Sequence, residues 1–126
     1  MYLLYGLNLN MFDILTKGEA IVFEAEKSCM QCDTFDVVNT LACSKKILSD
    51  YQVNKLIQLK VDITLAFDKG VDLNDILIEC RKFKGLCNVY YIYDVDNLLE
   101  DKMSPSDAGF EVFNKLYTDY RFKFKE

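Results

Sequence analysis

The feature that most constrains this chain is a regular alternation of short apolar runs with amphipathic stretches. Apolar runs at 19–25, 37–43 and 62–68 predict three buried strands, and an aromatic run at 87–96 predicts a fourth. Parallel strands need crossover segments of this length between them. The alternation therefore predicts an α/β fold in which an open, mainly parallel four-stranded sheet is flanked by helices.

The segments between and after these strands carry helix start signals. Ser49 is a good N-cap for the helix that follows it, and Ser28 and Asp72 are possible caps for two others. Ser104 precedes Pro105, which is the favoured order of cap and proline at a helix start. The predicted helices span 28–37, 49–60, 72–83 and 104–120.

A chain of 126 residues is long enough for one domain with a real core. The final "RFKFKE" alternates in character and predicts a short edge strand. No apolar run approaches the roughly 20 residues that cross a bilayer, and "MYLLYGLNLN" lacks the basic flank of a signal peptide. We therefore expect a cytoplasmic protein with no membrane partner.

The charge and the missing histidine narrow the possible functions. A net charge of −5 means that the surface as a whole does not attract nucleic acid or anionic membranes. A local basic patch, or contact through a metal ion, stays possible. The chain has no histidine, which excludes Ser/His/Asp and Cys/His nucleophiles. Any catalysis must use carboxylates, lysines or a metal.

The five cysteines form an odd set in a chain that we expect to be cytoplasmic, so a disulfide framework is not predicted. Cys29 and Cys32 have CxxC spacing, which also occurs in zinc ribbons and redox pairs, but no second CxxC follows. We interpret the cysteines as small buried hydrophobes and expect no zinc. They are Cys29, Cys32, Cys43, Cys80 and Cys87.

Two of the predicted strands are followed by a carboxylate. Glu24 closes the first strand and Asp68 closes the third. Ligands of open α/β sheets bind at the carboxyl ends of the strands, and two carboxylates there are enough for Mg²⁺, which keeps several waters. The alternative interpretation is that these acids simply mark solvated turns.

The order of these features resembles the Toprim domain, which primases share with topoisomerases, OLD-family nucleases and small RNA-maturation nucleases. A strand ending in Glu is followed by a helix, a strand with "TLA", another helix and a strand ending in Asp. The resemblance is closest to bacterial and phage-encoded DNA primases. The segments that carry it are 5–28, 39–59, 63–72 and 101–117.

The resemblance implies roles for three residues. Glu24 matches the family's glutamate, which acts in acid–base chemistry or holds a metal. Asp68 matches the first aspartate of the Asp-x-Asp motif, a ligand of Mg²⁺ (or Mn²⁺), and Asp107 falls where primases carry further metal-binding acids. Lys27 and Lys69 lie beside these acids and are candidates for phosphate contacts, although solvated loop lysines would look the same.

The chain departs from the family pattern at the metal site. The second aspartate of Asp-x-Asp is replaced by Gly70, so the motif is degenerate. Asp72 is a possible substitute ligand two residues further on. Ser28 stands where primases often carry an aspartate. We therefore expect an impaired metal site.

The resemblance implies a primase-type domain with a role in DNA replication. Its activity would be Mg²⁺-dependent nucleotidyl transfer, the synthesis of RNA primers from nucleoside triphosphates on a single-stranded DNA template. Residues 1–18 resemble the end of an upstream primase subdomain, and 19–126 form the Toprim domain itself. An upstream primase domain or a replicative helicase would be the protein partner.

Two alternatives stay open from the sequence. One is a non-catalytic Toprim module that binds a nucleotide or a partner, and Gly70 favours it. The other is a small Toprim nuclease that uses the same acids for hydrolysis. The segment "DKMSPSDAG" resembles primases more than nucleases.

Overall fold

A computed structural model describes residues 4–125, which form five helices and one five-stranded sheet. The elements in chain order are α1 (Leu7–Lys17), β1 (Glu19–Phe23), α2 (Glu26–Thr34), β2 (Thr40–Ala42), α3 (Asp50–Gln58), β3 (Asp62–Ala66), α4 (Leu73–Arg81), β4 (Val89–Ile92), α5 (Phe110–Asp119) and β5 (Arg121–Lys123). The predicted fold class is confirmed.

The sheet has the strand order β2-β1-β3-β4-β5. The first four strands are parallel, and β5 pairs with β4 in the antiparallel direction, as the predicted edge strand. Beside β2, the outer strand at the other side of the sheet, Tyr5 makes an antiparallel bridge to Ala42. Because β2, β1, β3 and β4 run the same way, their carboxyl ends all lie at one edge of the sheet, which we call the carboxyl edge.

The helices cover both faces of the sheet. On one face, α1, α3 and α4 pack with buried side chains that include Ile14, Leu56 and Ile76. On the other face, α2 and α5 pack around Phe23 and Phe113. Four of the five cysteines are buried in these two clusters, and Cys87 is half-buried beside the first, which agrees with their interpretation as small hydrophobes.

The prediction for the first helix start was wrong, and the prediction for the second is confirmed. α2 begins at Glu26, with Ala25 at the N-cap, so Ser28 is a buried residue inside the helix. Ser49 does cap α3, where its side chain and that of Gln52 form a reciprocal capping box. Asp72 occupies the N-cap position of α4, but its side chain makes no capping hydrogen bond.

The last helix begins at Phe110, six residues later than predicted. The main-chain N–H of Ser104 donates to the Asp107 carboxylate (2.7 Å), which closes a turn where the sequence predicted the first helical turn. Gly109 then has a φ of +96°, a conformation that few other residues adopt. The Ser-Pro pair therefore belongs to a turn in front of the helix.

The predicted entry segment, residues 1–18, contains the helix α1, which ends at Gly18 in a left-handed conformation. Its first three residues, like Glu126 at the other end, lie outside the described part of the chain. Leu4 and Ile14 are buried in the core, so this segment packs on the sheet. No helix within residues 4–125 is long and apolar enough to cross a membrane.

Candidate cation site

Glu24 and Asp68 meet at the carboxyl edge, as the strand ends predicted. β1 and β3 are neighbours, with Phe23 opposite Ala66, so the residues that follow them lie side by side. The main-chain N–H of Asp68 donates a hydrogen bond of 2.7 Å to Glu24 Oε2. This bond fixes the glutamate against the loop that carries the aspartate.

The Asp68 carboxylate is the member of the pair whose hydrogen bonding is incomplete. Its Oδ1 is buried and has no hydrogen-bond partner among the described residues. Burial raises the pKa of Asp68 to about 6, and the negative charges of Glu24 and Asp107 act in the same direction, while Lys27 opposes them. A buried carboxylate oxygen without a partner is a suitable position for a bound cation or a proton.

Asp107 lies close enough to influence Asp68 but is itself fully engaged. Its carboxylate accepts hydrogen bonds from Ser104 N–H (2.7 Å) and Gln31 Nε2 (3.0 Å), and the Lys27 ammonium is 3.1 Å away. Burial acts to raise the pKa of Asp107, but these three donors together lower it below its ordinary value. Asp107 is therefore ionised and compensated within the protein.

Behind these acids, α2 and the turn before α5 are joined by a neutral network of hydroxyl groups. Ser28 Oγ lies 2.7 Å from Ser104 Oγ, which is 3.2 Å from Ser106 Oγ. Ser106 donates to Gln31 Oε1 at 2.6 Å. The position where the family resemblance predicts an aspartate thus holds a buried, satisfied serine.

Gly70 stands where the resemblance predicts the second aspartate, and its surroundings favour glycine. Its φ is +103°, and a Cβ added there would lie only 2.5 Å from Oδ1 of Asp101. Backbone hydrogen bonds from Lys69 N to Met103 O (2.7 Å) and from Lys102 N to Lys69 O (2.9 Å) hold the loop after β3 against the segment between β4 and α5. The Asp101 carboxylate of that segment therefore fills the space that a side chain at position 70 would enter.

The Lys69 ammonium is already hydrogen-bonded to the loop after β4. Its Nζ lies 2.9 Å from the Asp94 carbonyl oxygen, 3.1 Å from the Asp94 carboxylate and 2.8 Å from Asn97 Oδ1. Burial acts to raise the pKa of Asp94, but the N–H groups of Leu98 and Leu99, together with Lys69, lower it. Lys69 thus organises the loop after β4, and its phosphate contact stays a prediction.

A cavity of about 630 Å³ adjoins Asp68 at the same edge. Its walls include the apolar side chains Phe67, Val71 and Ile76. Asp72 also lines the cavity, and its side chain is exposed. The size falls within the range of small-molecule sites.

The site fits a weakly held Mg²⁺ better than a fully protein-coordinated ion. Glu24 and Asp68 supply hard oxygen ligands, and Asp68 Oδ1 has an open acceptor position. Within residues 4–125, no group of three or more acidic or cysteine side chains is arranged to hold a metal. Waters would have to complete the coordination.

The sequence reasoning missed two acids at this edge. Asp94 follows the end of β4 just as Asp68 follows β3, so the same rule would have found it. Asp101 had no local signal, because only the folding of its loop against Gly70 brings it to the site.

The fold is similar to that of a part of the RNA polymerase domain of bacterial DNA primases. The Aquifex aeolicus primase, solved with its zinc-binding and RNA polymerase domains, superimposes with a TM-score of 0.77 over 96% of this chain at 18% sequence identity. The RNA polymerase domain of Mycobacterium tuberculosis primase DnaG gives 0.69 over 94% at 18% identity. The same domain in complex with a double-stranded DNA oligomer with a 6-nucleotide overhang gives 0.68.

In sequence, the chain is similar to a prophage protein. The SPbeta prophage-derived uncharacterized protein YorJ of Bacillus subtilis (strain 168) is 27% identical over 133 residues, an alignment that covers 90% of this chain. No family model matches the sequence. The chain spans 35% of the length of YorJ and 30% to 41% of the primase chains.

Proposed function

We propose that this chain is a primase-type Toprim domain of a phage-related DNA replication protein. In this proposal Glu24 and Asp68 bind one Mg²⁺ or Mn²⁺ ion, which contacts the phosphates of a nucleotide or a DNA strand. The observation that carries the proposal is the buried, unpartnered Asp68 Oδ1 beside Glu24, at the edge where α/β sheets bind ligands.

Four residues have separate roles at this site. Asp68 offers the open oxygen, and its main-chain N–H orients Glu24. Lys27 and Asp107 neutralise each other and anchor α2 to the turn before α5. A divalent cation, when bound, would supply positive charge to phosphate oxygens. The raised pKa of Asp68 means that cation binding competes with a proton near pH 6.

We do not expect the chain alone to synthesise primers. Gly70 and Ser28 replace two of the carboxylates that the family resemblance predicts. The Asp101 carboxylate lies against Gly70, and the Ser104 hydroxyl lies against Ser28. The solved primase domains that share the fold are also more than twice as long. We expect no primers when the chain is incubated with nucleoside triphosphates, Mg²⁺ and single-stranded DNA.

Isothermal titration calorimetry with Mg²⁺ and Mn²⁺ tests the proposal. We expect one weak site in the wild-type protein and a loss of at least tenfold in affinity in Glu24→Gln and Asp68→Asn. Asp75→Asn, which removes an exposed carboxylate from the first turn of α4, is the matched control and should bind like the wild type. Equal Mg²⁺ affinity in all four proteins would refute the cation site. Primer synthesis by the wild-type protein would refute the expectation that the chain binds its ligands without catalysis.

A further inference from the structure

A basic loop lies next to Glu24. Residues 44–47, which follow β2, are all exposed and include the adjacent Lys45 and Lys46. Ile47 is 59% exposed, which is high for an apolar side chain. Because β2 and β1 are parallel neighbours, this basic loop stands at the carboxyl edge beside the candidate cation site.

The basic loop is held at the end nearer Glu24. The N–H of Ser44 donates to the carbonyl oxygen of Glu24 at 2.7 Å, and Ser44 itself has a left-handed φ of +74°. The Cys43 thiol donates to the carbonyl oxygen of Lys45 at 2.8 Å. These bonds fix the direction in which the chain leaves β2.

The other end of the basic loop is fixed by the ion pair of the buried Glu79 and the half-buried Lys82. Leu48, the residue after the loop, donates its N–H to Glu79 Oε1 at 2.7 Å and accepts a bond from Lys82 Nζ at 2.9 Å. Glu79 and Lys82 are themselves 2.7 Å apart. A loop anchored at both ends loses little conformational entropy when it binds a ligand.

We propose that this basic loop contacts the phosphodiester backbone of a single strand of DNA. Two adjacent exposed lysines on a chain of net charge −5 form a local attraction for phosphate beside Glu24. Ile47 offers apolar contact to the sugars or bases that a single strand exposes. The proposal rests on the proposed function in taking DNA as the partner, and it adds a path that leads the strand past Glu24.

Fluorescence anisotropy with a labelled single-stranded oligonucleotide, in EDTA and at several salt concentrations, tests this proposal. If each lysine contacts one phosphate, the Lys45→Glu/Lys46→Glu variant should lose on the order of 20-fold in affinity at about 0.1 M salt. The slope of log K against log salt should become shallower by about 1.4. Lys123→Glu/Lys125→Glu makes the same charge change at the opposite edge, beside the start of β4, and should bind within about threefold of the wild type.

Equal losses in the two double variants would overturn the proposal, because net charge alone would then explain binding. No detectable binding by the wild type would also overturn it, as would displacement of the DNA by polyglutamate as readily as by unlabelled oligonucleotide. Because the assay contains EDTA, it does not depend on the cation site. Failure of the cation site would appear only in the calorimetry, and failure of the basic loop only here.

Discussion

A glutamate lies at each end of strand β1, and the two ends differ in how many hydrogen-bond donors surround the carboxylates. At the amino end, Glu19 accepts hydrogen bonds from Tyr117 OH (2.6 Å), Thr64 Oγ1 (2.6 Å) and the Arg121 guanidinium (2.8 Å). At the carboxyl end, Glu24 lies beside Asp68, whose Oδ1 has no partner among the described residues.

This difference separates a structural acid from a candidate functional one. The Arg121 guanidinium also stacks 3.7 Å from the centre of the Tyr90 ring, so the amino-end cluster ties β5 and α5 to the sheet. Burial, and then the bond to Glu19, raise the pKa of Tyr117 to about 12, which keeps its proton in place. The amino end is thus satisfied within the protein, whereas the carboxyl end keeps an acceptor position for something that binds.

The largest expected effect comes from removing the satisfied acid. Glu19→Ala leaves the half-buried Arg121 and the hydroxyl groups of Thr64 and Tyr117 without their acceptor, so the free energy of unfolding should fall by about 2–4 kcal/mol. Urea denaturation measures this fall, with Glu100→Ala, an exposed site, as the control. A fall of less than about 1 kcal/mol would mean that the amino-end cluster does not hold the fold together.

The second prediction adds an acid to the carboxyl end. Gly70→Asp should lower the free energy of unfolding by about 1–3 kcal/mol, because its φ of +103° strains any side chain and Asp101 must move away. We expect Mg²⁺ affinity to rise less than threefold. Gly85→Asp is the control, since Gly85 also has a positive φ but nothing lies within 4 Å of an added Cβ. A large gain in Mg²⁺ affinity would show that position 70 alone limits the site.

The third prediction removes the unsatisfied charge. The folded-state pKa of Asp68 is raised above its ordinary value of 3.8, so the folded protein binds more protons between about pH 4 and 6, and the charge destabilises it above that window. After allowance for solvent screening, Asp68→Asn should stabilise the metal-free protein by on the order of 1 kcal/mol at pH 7. Thermal unfolding at pH 7 and pH 4 should show this advantage at the higher pH only, and a destabilised variant at pH 7 would contradict it.

The smallest effect is expected at Asp72, which shares the edge with Asp68 but is exposed and makes no capping bond. Asp72→Asn should change stability by less than about 0.5 kcal/mol and leave Mg²⁺ affinity unchanged. Calorimetry with the variant beside Asp68→Asn checks this. A tenfold loss of affinity would identify Asp72 as the substitute ligand that the sequence suggested.

The same comparison shows what the sequence could predict. Glu24 and Asp68 were found because one rule, that ligands bind at the carboxyl ends of parallel strands, needs only the order of the elements. Thr64, Tyr117 and Arg121, which donate to the Glu19 carboxylate, lie 45 to 102 residues away in the chain, so no local pattern connects them to it. The packing of Asp101 against Gly70 was hidden for the same reason.

The helix starts show where local signals failed. Ser49 had a capping box within three residues and was predicted correctly. The Ser104-Pro105 pair carried an equally good local signal, but Ser104 instead bonds to Ser28 on α2, 76 residues earlier. Tertiary contacts therefore overrode local preference at the turn that borders the candidate site.

The most direct test of the central claim is the pKa of the Asp68 side chain, measured by NMR with and without Mg²⁺. We expect this carboxyl group to titrate near pH 6 in the metal-free protein, and its pKa to fall when Mg²⁺ is present, because the cation stabilises the ionised form. An Asp68 that titrates near its ordinary value and does not respond to Mg²⁺ would contradict the claim that the carboxyl end of β1 and β3 is a cation site.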